Sequence, residues 1–190
     1  MKYIFFFFFC IATSSGFTQV TVSVKWSSHI PAAGSDTIYY KPSQKLLWQD
    51  FKGKPGEPLN AGALTTSGFG YRSSIQYLNE KTDITIVVYC YFGKKTSWVK
   101  AGKESAYALN HEQHHFDITY LVTDLFVKKL KAIKFTRNNY NMLLEQVYIE
   151  SYRELEKMQN DYDGQTRNSR LKNIQYEWDQ KIEKQLGLLK

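Results

Sequence analysis

Cysteine is scarce in this sequence: two occur in 190 residues, Cys10 and Cys90. No disulfide framework can be built from them, so the fold must be held by packing or by metal. Past the N-terminus no apolar run reaches the roughly 18 residues of a membrane span, which predicts no stable membrane insertion. Internal repeats and long linkers are absent. Between Lys103 and Ile133 there is neither glycine nor proline, so nothing interrupts a helix there. Dense charge is also missing. The net charge is +7, but only Lys94-Lys95 and Lys128-Lys129 with Lys131 cluster, which reads as a solvated basic surface. What is present is apolar and aromatic: 43% hydrophobic residues and 16% Phe, Trp and Tyr. That is enough to exclude a disordered chain and to fill the core of one domain.

The first residues form a separate unit. Lys2 precedes the run Phe5 to Phe9, and small residues follow from Ala12 to Gly16. A positive start, an apolar stretch and a small-residue region predict a secretory signal peptide over residues 1–19, cleaved between Ala12 and Gln19. The bulky Phe7, Phe8 and Phe9 ahead of Cys10 argue against a lipid anchor. Export predicts a secreted or periplasmic protein and makes nucleic acid an unsuitable partner. Loss of Lys2 lowers the net charge from +7 to +6, and loss of Cys10 leaves Cys90 alone. Cys90 sits in the apolar stretch Ile84 to Phe92 and is expected to be a buried small residue.

The remainder, residues 20–190, reads as a single domain. Its first half favours strands: Thr21 to Trp26, a short candidate at Leu46 to Phe51, then Phe69 to Leu78 and Asp83 to Phe92, with a hairpin turn at Asn79-Glu80-Lys81. Gly53, Pro55, Gly56 and Pro58 mark a loop. The second half is helical. Ile118, Leu121, Val122, Leu125, Phe126, Leu130 and Ile133 recur at helical spacing. Tyr140, Leu144, Val147, Leu155 and Met158 give a second helix, and Asp161 to Ser169 reads as a polar loop. Leu171, Ile174, Trp178, Ile182 and Leu186 give a third. Strands followed by helices predict an α+β domain, with an N-terminal antiparallel sheet and three helices.

One motif carries chemistry. His111-Glu112-Gln113-His114-His115 fits H-E-x-x-H on the long predicted helix. Residues i and i+4 lie about 40° apart around a helix axis, one turn apart along it. His111 and His115 can therefore converge on one zinc ion. Glu112 points aside, where it can act as general base on a water that the metal activates. The reading is a zinc-dependent peptidase acting on a peptide or protein substrate. His114 reads as a surface or supporting residue, and Asp117, on the opposite face, is not expected to be a ligand.

Catalytic zinc takes three protein ligands and keeps one position open. If the first two helices form an antiparallel hairpin pivoting near residue 135, residues 155 to 159 face the motif. Glu154 lies near that level, about 20° from Val147 around the second helix, and is one candidate. A solvated helix-face carboxylate is the alternative for it.

Several blocks resemble a known family. They are Leu47-Trp48-Gln49-Asp50-Phe51-Lys52-Gly53-Lys54-Pro55, Ala63-Leu64-Thr65-Thr66-Ser67-Gly68, Ser97-Trp98-Val99-Lys100, and Leu109-Asn110-His111-Glu112-Gln113-His114-His115-Phe116-Asp117-Ile118. Together they resemble the bacterial family called domain of unknown function 922, described as predicted secreted zinc-dependent proteases, over about residues 45 to 185. The resemblance implies a zincin-like fold, His111 and His115 as ligands, Zn2+ as cofactor and Glu112 as the catalytic carboxylate. Family members tend to carry Tyr-Asp-x-x-Thr-x-His after the second helix, and its His is a natural third ligand. Here the segment is Tyr162-Asp163-Gly164-Gln165-Thr166-Arg167-Asn168, with Asn168 where His is expected. The resemblance thus leaves Asn168 in the ligand position, with Glu154 or Asp163 as replacements. The other outcomes are weak zinc binding or a catalytically degenerate envelope protein on the same scaffold.

Overall fold

The computed structural model describes residues 19–28, 36–56, 61–78 and 81–189. The signal segment, His29 and the tip of the β-hairpin at Asn79-Glu80 lie outside them. The order is β1 (Gln19–Trp26), β2 (Thr37–Tyr39), β3 (Ala63–Leu64), β4 (Ser67–Leu78), β5 (Lys81–Gly93), β6 (Trp98–Val99), then α1 (Ala106–Ala132), α2 (Tyr140–Thr166) and α3 (Lys172–Gly187). The α+β reading holds: a sheet first, three helices after it.

β5 organises the sheet. Its residues alternate, with Thr82, Ile84, Ile86, Val88, Cys90 and Phe92 buried on one face, the period of two of a half-buried strand. β4 pairs antiparallel along one edge from Leu78↔Lys81 to Ser67↔Phe92. The other edge is shared in series. β1 runs parallel over Gln19↔Lys81 to Trp26↔Val88, and β2 runs antiparallel over Thr37↔Gly93 to Tyr39↔Tyr91. The expected wholly antiparallel sheet is therefore corrected to a mixed one. A parallel neighbour needs a long connection, and the chain between Trp26 and Lys81 supplies it. Local alternation is the same in either direction, so the sequence pattern could not distinguish them.

The expected strand at Leu46 to Phe51 is instead a 3-10 turn, Trp48–Asp50. The Asp50 carboxylate accepts from the Leu47 backbone N–H at 3.0 Å and pairs with Lys94 at 3.1 Å. A side chain that satisfies the local backbone competes with strand pairing. Leu46 and Phe51 still turn inward, packing with Cys90, Phe92 and Phe116 in a small second core.

α1 is the central element, packed against the sheet and against both α2 and α3. The Ser105 side chain caps it, accepting from Ala108 N–H at 3.1 Å, worth about 1 kcal/mol. Ile118, Val122 and Phe126 meet Phe69, Ile84, Ile86 and Val88 in the main core, which α2 and α3 close with Leu144, Leu155, Tyr162, Trp178 and Ile182. Each fully buried aliphatic side chain contributes about 1.5–3 kcal/mol. Leu125, assigned to the inward stripe by spacing, is 46% exposed. Cys90 is buried, as expected. Among the described residues no helix is long and apolar enough to cross a membrane.

α2 runs further than its sequence suggested. Residues 161 to 166, read as loop, continue the helix to Thr166. Tyr162 and Thr166 are fully buried there, and the Thr166 hydroxyl donates to Tyr162 O at 2.7 Å. Burial on that face outweighs the low helix propensity of Gly164.

Candidate metal centre

The inner faces of α1 and α2 meet at the histidine motif. His111 Nε2 and His115 Nε2 each lie 3.1 Å from the same oxygen, Asp163 Oδ1. The three ligand atoms all fall within 4.8 Å of one another and could hold a metal ion. Contacts of 3.1 Å approach the ~3.3 Å edge of a tetrahedron with bonds of about 2.0–2.1 Å. The Tyr162 ring lies beneath the pair, stacked on His111 at 4.6 Å and edge-on to His115 at 5.1 Å.

The second nitrogens decide how these rings are protonated. His111 Nδ1 faces Gln175 Oε1 at 2.8 Å. The amide nitrogen of Gln175 donates to Tyr162 OH at 2.6 Å and to Asp179 Oδ1 at 2.7 Å, so its carbonyl end must face the imidazole. His115 Nδ1 faces Gln159 Oε1 in the same manner, and Gln159 Nε2 donates to His115 O at 2.8 Å and Thr119 Oγ1 at 3.2 Å. Each Nδ1 therefore carries a hydrogen. In neutral imidazoles both Nε2 lone pairs would then point at a carboxylate oxygen, which is repulsive. The arrangement requires positive charge between them, either protons on Nε2 or a metal cation. Without metal, burial lowers the His115 pKa, but the hydrogen bond and charge of Asp163, with the charge of Glu112, overrule it and push it up to about 9. Burial raises the Asp163 pKa, but the two histidines hold the carboxyl well below the usual carboxylate range.

Glu112 follows His111, precedes His115 by three residues, and makes none of these contacts. It is buried, and its Oε2 has no hydrogen-bond partner. Thr65 Oγ1 ties the Glu112 backbone carbonyl to the chain entering β4, at 3.1 Å. Glu112, His111, His115 and Asp163 all line one cavity of about 830 Å³, walled by residues 61–67 on one side and by α2 on the other. An unpartnered buried carboxylate oxygen is costly unless the site supplies something for it to hold.

Among the other residues singled out from sequence, Glu154 is half-exposed on α2, ion-paired with Lys129 at 2.7 Å, and does not line the cavity. Asn168 does line it, and its backbone N–H donates to Asp163 O at 2.9 Å. Asp163, the remaining alternative, joins the histidines. His114 is not at the surface: it is 2% exposed, with Nδ1 3.1 Å from Asp117 and Nε2 3.2 Å from Asp179, off the line of a hydrogen bond to the latter. Asp117 is engaged by Tyr40, Lys45, Gln113 and His114. Burial raises its pKa, but donation from His114, the charge of Lys45 and donation from Tyr40 and Gln113 bring it below the usual value.

Compared with known proteins, the chain matches no family model, and no curated protein or solved structure is similar enough to count as a match. The site must therefore be read from its own chemistry.

Residues not anticipated from sequence are Gln159, Gln175, Asp179 and Tyr162. A signal for two of them exists. Gln175 falls between Ile174 and Trp178 within the third helix's apolar stripe, and Gln159 lies four residues after Leu155 and four before Asp163. Polar residues in register with a buried face need a partner there.

The wall beyond Asp163 is unusual. Arg167, Asn168 and Ser169 all have positive φ, at 50°, 51° and 62°. Left-handed conformation costs a non-glycine residue about 1–2 kcal/mol. The turn is held by Asn168 N–H to Asp163 O at 2.9 Å, Leu171 N–H to Thr166 O at 2.9 Å, and Tyr107 OH to Ser169 O at 2.7 Å. Strain of this kind persists only where the surroundings determine it.

Proposed function

We propose that the protein is a zinc-dependent peptidase with a zincin-like arrangement, exported as its N-terminal segment suggests, and acting on peptide or protein substrates. The observation that carries the reading is the pairing of a His-His-Asp donor group with the unpartnered, buried Oε2 of Glu112 in one cavity. Two imidazoles and one carboxylate form the donor set of a catalytic rather than a structural zinc site, which would be closed by a fourth protein ligand. The resemblance to domain of unknown function 922 agrees with it. Asp163 offers a charged third donor where the Asn168 amide would be a poor one, which supports the reading of an active site.

The donors for the ion would be His111 Nε2, His115 Nε2 and Asp163. A zinc ion held there would supply Lewis acidity toward the scissile carbonyl and make a nearby water more acidic. Glu112 accepts the proton of that water as it attacks and returns it to the leaving amine. Gln175 and Gln159 keep the Nδ1–H tautomers, so both Nε2 lone pairs stay turned to the ion. Tyr162 blocks the imidazoles from tilting away.

The test is zinc content by mass spectrometry and hydrolysis of a fluorogenic peptide library. One zinc per chain is expected in the wild type and in Glu112→Gln, with cleavage only in the wild type. A zinc-loaded wild-type protein that cleaves nothing in the library would overturn the catalytic reading, and no zinc at all would overturn the site.

A further inference from the structure

The cavity is not electrically uniform along its length. Lys103 and Arg170 line the end nearest the start of α1. At the other end Glu156 lines it from α2, seven residues before Asp163 and so about 10 Å away along the helix. Among the described residues neither cationic head group has a hydrogen bond or ion pair. Asp163, seven residues before Arg170, is engaged by the two histidines.

Both cations are placed by the fold. The stem of Lys103 lies along Gly62: a Cβ at Gly62 would stand 3.5 Å from Lys103 Cβ and Cγ. Arg170 leaves the strained left-handed turn at residues 167–169, whose backbone N–H groups donate to Asp163 O from Asn168 and to Thr166 Oγ1 from Ser169. The turn thus fixes Arg170 relative to the metal group itself.

Resting on the peptidase reading above, we propose that this cavity selects peptides bearing a carboxylate on one side of the scissile bond, received by Lys103 and Arg170. A guanidinium binds carboxylate through two parallel hydrogen bonds, and an ammonium in the same recess adds charge. Glu156 repels an acid at the opposite end, so the preference is one-sided. An acidic side chain and a free C-terminal carboxylate present the same chemistry.

The experiment uses zinc-loaded Glu112→Gln protein and dye-labelled peptides read by fluorescence anisotropy. Aspartate is moved through an otherwise neutral octapeptide against asparagine at each position, and a second set compares free-acid with amide C-termini. Aspartate on one side should bind at least about tenfold tighter than asparagine, an advantage that shrinks with added salt. In the Lys103→Ala/Arg170→Ala protein the acidic peptide should fall to the affinity of its asparagine counterpart. The C-terminal set tells whether a terminal or a side-chain carboxylate is read. Equal binding of Asp and Asn peptides, no binding of any peptide, or a preference that survives the double substitution overturns the proposal. Wild-type hydrolysis separates the two readings. Cleavage without acidic preference sinks this one alone, and acidic preference in binding without any cleavage sinks the peptidase.

Discussion

Replacing Gln175 with leucine tests the idea that the metal centre is tuned from α3. Gln175 is 1% exposed and sits at a junction, accepting from His111 Nδ1 at 2.8 Å while donating to Tyr162 OH at 2.6 Å and Asp179 at 2.7 Å. Leucine fills a similar volume but leaves the buried His111 N–H without an acceptor. That omission costs about 1–3 kcal/mol of folding stability. It also frees the His111 ring to rotate or to change tautomer, and loss of such an outer partner lowers metal affinity about 10–100-fold. Zinc affinity is to be measured by competition with a chromophoric chelator at pH 7.5, and stability by guanidinium unfolding of the metal-free protein. Ile182→Val, at a fully buried position on the same helix with no polar contact to the site, controls for general loosening. It should cost about 0.5–1.5 kcal/mol with zinc affinity intact. If Gln175→Leu remains folded and binds zinc within twofold of wild type, the tautomer argument is wrong.

Glu112→Gln should lower kcat by about 10²–10⁴-fold with zinc content unchanged in metal analysis. Asp163→Asn should weaken zinc binding in the same chelator assay and bring the His115 pKa down from about 9 in the metal-free protein, followed by NMR titration. Because that raised pKa leaves His115 protonated at pH 7, zinc binding should release about one proton, seen as a calorimetric enthalpy that varies with the ionisation heat of the buffer. The sign for stability follows: in metal-free protein the His115 contribution is fully present below about pH 6.5 and is lost as pH rises through about 9, so the unfolding midpoint should fall across that window. Gly53→Ala should destabilise by about 1–3 kcal/mol, since its Cβ would sit 2.8 Å from the backbone oxygens of both Lys95 and Ser97; unchanged denaturant midpoints would refute the close approach.

The motif and its helix were legible because a single 3.6-residue period carries both the apolar stripe and the two histidines. The third donor was harder to see for two physical reasons. Gly164 and the polar run from Asp161 suggested a loop, whereas buried Tyr162 and Thr166 extend α2 and bring Asp163 onto the inner face. The hairpin also pivots near residue 137, as the pairs His111–Asp163 and His115–Gln159 show, and not near 135. A two-residue change in pivot moves the facing level by four residues, from 155–159 to 159–163, and leaves Glu154 five residues short of Gln159 and nine short of Asp163. Sheet order was less legible still. β1 and β5 are joined only by the fold's long return, and the alternation in Val20, Val22 and Val24 says which face is buried but not which way the neighbour runs.

The bond between His111 and Asp163 spans 52 positions of chain, and Cys90 is the lone thiol among the described residues. An ion gripped by those two side chains would close a loop of that size much as a disulfide would, and the chain-entropy relation puts such a closure at about 4 kcal/mol. With one thiol among its described residues, the fold would thereby gain a removable staple. Chelation would then loosen the packing of α1 against α2, and supply of the metal would set how long the protein resists proteolysis.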